Sequence, residues 1–255
     1  MLNELSGSIY GLRFSNNGQL TPIVNSLQAL STVGPSGEAA QIGFAPGGKQ
    51  LVVTHRALDV IDTFRRRADG SPEPAQPYPA NAPHPFGFDF AGSHLEVTNG
   101  GSVTTPPDTA DPSQFKGSVS SYDVAGALTA TGNVASGGRA ACWIAVTNDK
   151  RYAFATNTLS ATVADITTGK GAISRLSVSS DGTLTLLGQT DTGPGFPSDV
   201  ALSSDSQYLY VLAPTLTGDD TSHIDVYRVG ADGSLTHIQS TADNLPRGIS
   251  GAAAF

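Results

Sequence analysis

The sequence predicts an all-β fold of repeated four-stranded sheets, and three observations predict it. The first is a repeated segment: without gaps, Ile42 to Val53 lies over Phe86 to Val97, over Ile144 to Ala155 and over Val200 to Val211. Its equivalent positions Phe44, Phe88, Val146 and Leu202 stand 44, 58 and 56 residues apart. The second is a repeated turn, at Asn17-Gly18, Asp69-Gly70, Ala125-Gly126, Asp181-Gly182 and Asp232-Gly233. Glycine adopts the positive φ that tight hairpin turns need, so such dipeptides between β-rich runs mark hairpins. The third is composition: 29 glycines and 16 prolines supply turns, charge is sparse, and no window sustains a helical period. A period of roughly 40 to 60 residues with four strands per unit is the pattern of a β-propeller blade. A sandwich whose strands merely look alike is the alternative, and a gapless four-fold match disfavours it.

Taken in order, the chain begins in the middle of a blade. Ser8 to Phe14 corresponds to a third strand and Leu20 to Val24 to a fourth, with no first strand before them. The run Arg65-Arg66-Arg67 falls on a strand end and reads as a solvated edge. The proline-rich stretch from Arg65 to Pro85, and the polar stretch from Gly100 to Lys116, fall at repeat junctions and read as ordered surface loops. A smaller insertion, Thr167 to Ala172, interrupts a third strand. The clearest blade has strands at Ser198 to Leu202, Tyr208 to Leu212, Ile224 to Val229 and Leu235 to Ile238. At the end, Gly251 to Phe255 aligns with the start of an innermost strand. Start and end are complementary halves, so one expectation is a single domain over 1–255, five blades with the termini closing one of them. The other is a piece of a larger propeller, whose two exposed sheet edges would favour a homo-oligomer.

Charge and cysteine content narrow the partners. A net charge of −8 and a pI near 4.9 argue against nucleic acid or an anionic membrane, which need a basic surface. The lone Cys142 excludes an intrachain disulfide and any cysteine metal cluster. Met1 is followed by Leu2-Asn3-Glu4-Leu5, without the basic and apolar regions of a secretion signal. The expectation is a cytoplasmic protein, with an exported parent protein left open.

Four segments carry a family resemblance: Gly43 to Thr54, Pro85-Phe86-Gly87-Phe88, Ala140-Ala141-Cys142-Trp143 and Arg151 to Thr158. Together with Leu245 to Gly251 they resemble the lactonase family of β-propellers, which groups 6-phosphogluconolactonase-like and 3-carboxymuconate-cyclase-like proteins. The resemblance implies a seven-bladed fold of which this chain holds about five blades. It implies hydrolysis of a small lactone, a sugar lactone or an acyl-homoserine lactone. Two positions depart from the family pattern. Thr54-His55-Arg56 stands where Thr-Glu-Lys is frequent, and Thr98-Asn99-Gly100 where an acid is common. A noncatalytic binding scaffold and a muconate-type cyclase stay open beside the lactonase.

In a propeller the blade connections and the loops between second and third strands share one face. That places Glu38, His84, Arg139, Trp143, Asp199 and Arg247 with His55, Arg56, Asn99 and Asn157 as candidate site residues. Lactone opening needs a base for the attacking water and a cation or donor for the oxyanion. His84 or His55 is the candidate base, Arg139 or Arg56 the electrophile, and Glu38 or Asp199 the residue orienting the base. Trp143, Asn157, Asp199, Asn99 and Arg247 are the candidate substrate contacts. No cofactor is required, although Asn99, Asn157 and Asp199 could hold a calcium ion as some other propeller lactonases do. For each residue the plainer alternative is a turn, packing or surface role. No nucleophile elbow, metal-binding His pair or phosphate loop occurs.

Overall fold

The computed structural model describes residues 1–32, 39–102, 115–159, 170–214, 221–241, 245–246 and 251–254. All regular structure among them is β. The chain forms two compact units, Met1–Phe86 and Gly87–Phe255, and each has its own sheets.

Unit 1 opens with short strands: β1 (Leu2–Asn3), β2 (Ser8–Ile9), β3 (Leu12–Phe14), β4 (Leu20–Pro22) and β5 (Gln28–Ala29). The expected third strand is split into β2 and β3. The break lies at Tyr10-Gly11, where the Gly11 N–H donates to Ser26 Oγ at 3.0 Å instead of to a ladder. A complete four-stranded sheet follows, β6 (Ala39–Phe44), β7 (Gln50–His55), β8 (Val60–Arg65) and β9 (Gln76–Pro79), paired in sequence order. Strand β9 lies within the proline-rich stretch expected to be loop. Its prolines are tolerated because β9 is the outermost strand, where a missing N–H breaks no inner ladder. Ile9, Leu30, Ala39, Val53 and Phe64 form the core of this unit.

Unit 2 holds three repeats of the same sheet. Strands β10 (Pro85–Ala91), β11 (His94–Asn99), β12 (Lys116–Asp123), β13 (Thr129–Val146), β14 (Tyr152–Leu159), β15 (Lys170–Val178) and β16 (Leu184–Pro194) pair in sequence order as one seven-stranded sheet. The unexpected element is β13. Its first part is the outer strand of one repeat and its last part the inner strand of the next, so the junction predicted as a connection is a single paired strand, kinked where Gly137 and Ala140 take left-handed φ of 81° and 51°. The last repeat is β17 (Asp199–Leu202), β18 (Tyr208–Pro214), β19 (Thr221–Val229) and β20 (Leu235–Ser240), with β21 (Leu245–Pro246) also on β19. The expected strand at the C-terminus is absent from residues 251–254. There the Ala252 N–H goes to the Asp199 carboxylate at 2.8 Å rather than to a neighbouring strand.

The period-2 alternation of side chains explains the packing in unit 2. In β14, Ala153 and Ala155 join a cluster with Ile144, Val146 and Leu176, whereas Phe154 points the other way, into a cluster with Ile173, Val200, Leu209 and Val211. Both faces are therefore buried, which is how one sheet stacks on the next. Each fully buried Val, Leu, Ile or Phe contributes about 1.5–3 kcal/mol. Of the five hairpin glycines, Gly18, Gly70, Gly182 and Gly233 have the positive φ expected and Gly126 does not.

Candidate functional site

The end of β7 gathers three of the predicted residues. His55, its last residue, is buried, and its Nε2 lies 3.0 Å from Oδ2 of the equally buried Asp62 on β8. The same oxygen accepts the Ser31 N–H at 2.8 Å. Burial works to raise the Asp62 pKa, but hydrogen bonds from His55 and Ser31 outweigh it and hold the carboxyl below the ordinary range. An ionised carboxylate only accepts, so His55 carries its hydrogen on Nε2 and keeps its lone pair on Nδ1 when neutral. Thr54 anchors the strand end by donating from Oγ1 to the Phe86 carbonyl at 2.5 Å.

The turn after β7 carries Arg56 and Asp59. Arg56 is half exposed; its guanidinium carbon stands 5.7 Å above the Phe86 ring centroid and 3.8 Å separates its Nη2 from Glu4. Asp59 Oδ1 accepts the His84 backbone N–H at 2.7 Å, which fixes His84 in the left-handed region at φ 58°. His84 Nδ1 is buried and has no hydrogen-bond partner among the described residues. The His84 backbone is thus tied to the turn that follows His55 and carries Arg56. Glu38 lies outside the described residues.

In unit 2 the predicted residues are mostly committed to internal bonds. Arg139 is buried in β13, with its guanidinium 6.0 Å from the Phe115 ring centroid. It is neither a loop residue nor exposed, because ladder pairing holds it on both sides, to Lys116 and to Leu159. Asn157 is buried: its amide donates to Ser174 Oγ at 2.7 Å and to the Ala172 carbonyl, and its oxygen accepts from Ser136 Oγ at 2.6 Å. Asp199 accepts the N–H groups of Val200 and Ala252, and burial still raises its pKa against those bonds. Trp143 packs against the core formed by Phe154 and Val200. Arg247 lies outside the described residues.

Asn99 donates to Ser120 Oγ at 2.9 Å, while its Oδ1 is buried without a partner among the described residues. With Asn157 and Asp199 engaged, this donor set does not fit a calcium ion. Among the described residues no three His, Cys, Asp or Glu side chains gather as metal ligands.

Sequence reasoning missed a recurring pair. His55, Asn99 and Asn157 occupy the same repeat position late in the second strand of successive repeats, and each bonds a third-strand residue: Asp62, Ser120 and Ser174. The available signal was a polar residue inside an apolar third strand, as in Val60-Ile61-Asp62-Thr63-Phe64. It also missed Glu96, wholly buried on β11, whose carboxyl is pushed up to about 8 by burial, helped by the Asp89 charge and opposed by Ser121 Oγ at 3.1 Å.

These blade-like sheets, four strands each and repeated along the chain, define a β-propeller. Residues 1–105 match the family described as Lactonase, 7-bladed beta-propeller, so the recognition drawn from the sequence, a lactonase-family propeller, is borne out. A comparison with curated proteins finds no match. Among solved structures, a protein from Lactobacillus plantarum superposes with a TM-score of 0.72 at 17% identity, over 96% of this chain and 67% of that one. Candidate 6-phosphogluconolactonases from Bacteroides fragilis and Bacteroides uniformis give TM-scores of 0.67 and 0.69, each at 20% identity over 94% of this chain and 66% of theirs. The chain thus spans about two thirds of the length of these structures. At such identities the likeness is one of fold.

Proposed function

We propose that the protein hydrolyses small lactones at the end of β7 in unit 1. The observation that carries this reading is the His55–Asp62 pair at the end of β7, followed by a turn that carries Arg56 and is bonded through Asp59 to the His84 backbone, all inside the stretch that matches the lactonase family. An imidazole nitrogen without a proton accepts the hydrogen of an attacking water, and on His84 that nitrogen is Nε2, because Nδ1 is buried out of reach of water. As the carbonyl carbon becomes tetrahedral, the Arg56 guanidinium stabilises the developing oxyanion. Collapse of that intermediate breaks the ring C–O bond, and the protonated imidazole returns its proton to the leaving alkoxide. Asp62 holds His55 in one tautomer beneath this loop. A sugar lactone is the favoured substrate, since two of the similar structures are candidate 6-phosphogluconolactonases; an acyl-homoserine lactone is the other small cyclic ester to try.

The test is lactone hydrolysis by pH-stat with gluconolactone, a phosphorylated sugar lactone, and short and long acyl-homoserine lactones, each with calcium and with chelator. The expected result is chelator-resistant turnover of a sugar lactone that falls about 100-fold or more in His84→Ala. Turnover untouched by that substitution overturns the site. Absence of turnover on every substrate favours a second reading, a binding scaffold. That reading draws support from Arg139, Asn157 and Asp199 being buried in internal contacts.

A further inference from the structure

Unit 1 has a cavity of about 360 Å³ that the proposed reaction does not use. Its wall includes Leu51, four residues before His55 on β7, which is about 13 Å along the strand. We propose that this cavity binds an amphipathic carboxylate, an aliphatic chain ending in one negative charge. Ile9, Ile23, Ile42 and Leu51 form the sides, and Phe44, 57% exposed although it belongs to the first strand of a complete sheet, adds an aromatic surface. The volume falls in the range of small-molecule sites. A sugar would leave hydroxyls unpaired against isoleucine, so the body of the ligand is apolar.

The charged end follows from the rim. Arg13 donates from Nη2 to the Asp69 carbonyl at 3.4 Å, and Arg66 donates from Nε to the Gly48 carbonyl at 2.7 Å. These bonds orient both guanidinium groups while leaving Arg66's two terminal nitrogens without a hydrogen bond among the described residues. That is the fork a carboxylate accepts. Asp69 is the acid on the same rim. Its Oδ1 accepts from Ser71 N–H at 2.9 Å and Ser71 Oγ at 2.7 Å, and these bonds hold it ionised. Cations outnumber the one acid on this rim, with the Met1 amino group beside Arg13 and Arg66, so a negative charge on the ligand is favoured.

The experiment is isothermal titration calorimetry of the full chain with octanoate, octanol and octylammonium. Octanoate is expected to bind saturably at one site with a negative heat-capacity change, and the other two at least about tenfold more weakly. Arg66→Gln and Arg13→Gln each weaken octanoate several-fold without changing octanol, and Ile42→Phe, which fills the cavity, weakens both. His84→Ala leaves octanoate binding unchanged, which separates this site from the proposed active site. Equal binding of octylammonium, no saturable octanoate heat, or unchanged octanoate affinity in both arginine variants overturns the proposal.

Discussion

Asp62 and Glu96 are both fully buried carboxyls, yet their surroundings push them in opposite directions. Asp62 has a folded-state pKa below its unfolded value, so the stability it contributes is present above about pH 3.8 and is lost as pH falls through the lower folded value. Removing its partner leaves a buried charge unpaired. His55→Ala is therefore expected to cost about 3–5 kcal/mol, and His55→Gln, which keeps a donor, less, as read from urea midpoints at pH 7. Glu96 has the opposite sign. Its folded state holds the proton more tightly, so its contribution is full below about pH 4.5 and is lost progressively as pH rises towards 8. Glu96→Gln cannot ionise, and it should gain on the order of 3 kcal/mol relative to the parent between pH 5 and pH 8.5. Neither environment was legible in the sequence. Glu96 stands in His-Leu-Glu-Val, where alternation alone suggests a solvent face; burial on both faces comes from stacking sheets that lie far apart in the chain.

At the scale of the element, turns and strands were legible because their signals are local. The turn between first and second strands keeps one left-handed position in every complete sheet, at Gly48, Gly92, Lys150 and Ser206, with φ of 65°, 65°, 64° and 57°. Glycine adopts that conformation without a Cβ penalty, whereas Lys150 bears one. Lys150→Gly should stabilise the protein by about 0.5–1 kcal/mol, a change visible as a higher thermal midpoint. Gly87 is a different case, since its φ is ordinary but a Cβ there would stand 2.5 Å from the Cys142 carbonyl oxygen. Gly87→Ala should force β10 away from β13 and cost about 1–3 kcal/mol by chemical denaturation. What the sequence hid was continuity: Gly137-Gly138 before Arg139 reads as a break, and Gly137 does turn left-handed at φ 81°, yet Arg139 is paired with Lys116 and Leu159 and the strand goes on. The burial of Arg139 follows from that, which is why a residue expected at a channel mouth lies inside the sheet.

For the whole molecule, composition gave the most general expectation. With a net charge of −8, the chain should stay in the supernatant when sedimented with anionic vesicles and should not shift duplex DNA at physiological salt; retention by either would contradict the charge argument. The site was only partly legible. His55, Arg56 and His84 lie close to turns whose position the repeat fixes, whereas Asp62 and Asp59 become visible only once register is known. The 18 residues of β13 carry one more consequence. Because a single backbone segment pairs with β12 along its first part and with β14 along its last, the two repeats it joins share a strand, and opening one disturbs the ladder of the other. Native-state hydrogen exchange should therefore find the amides of β11 to β15 released in one step with a common protection factor, with β20 at the outer edge of its own sheet exchanging earlier.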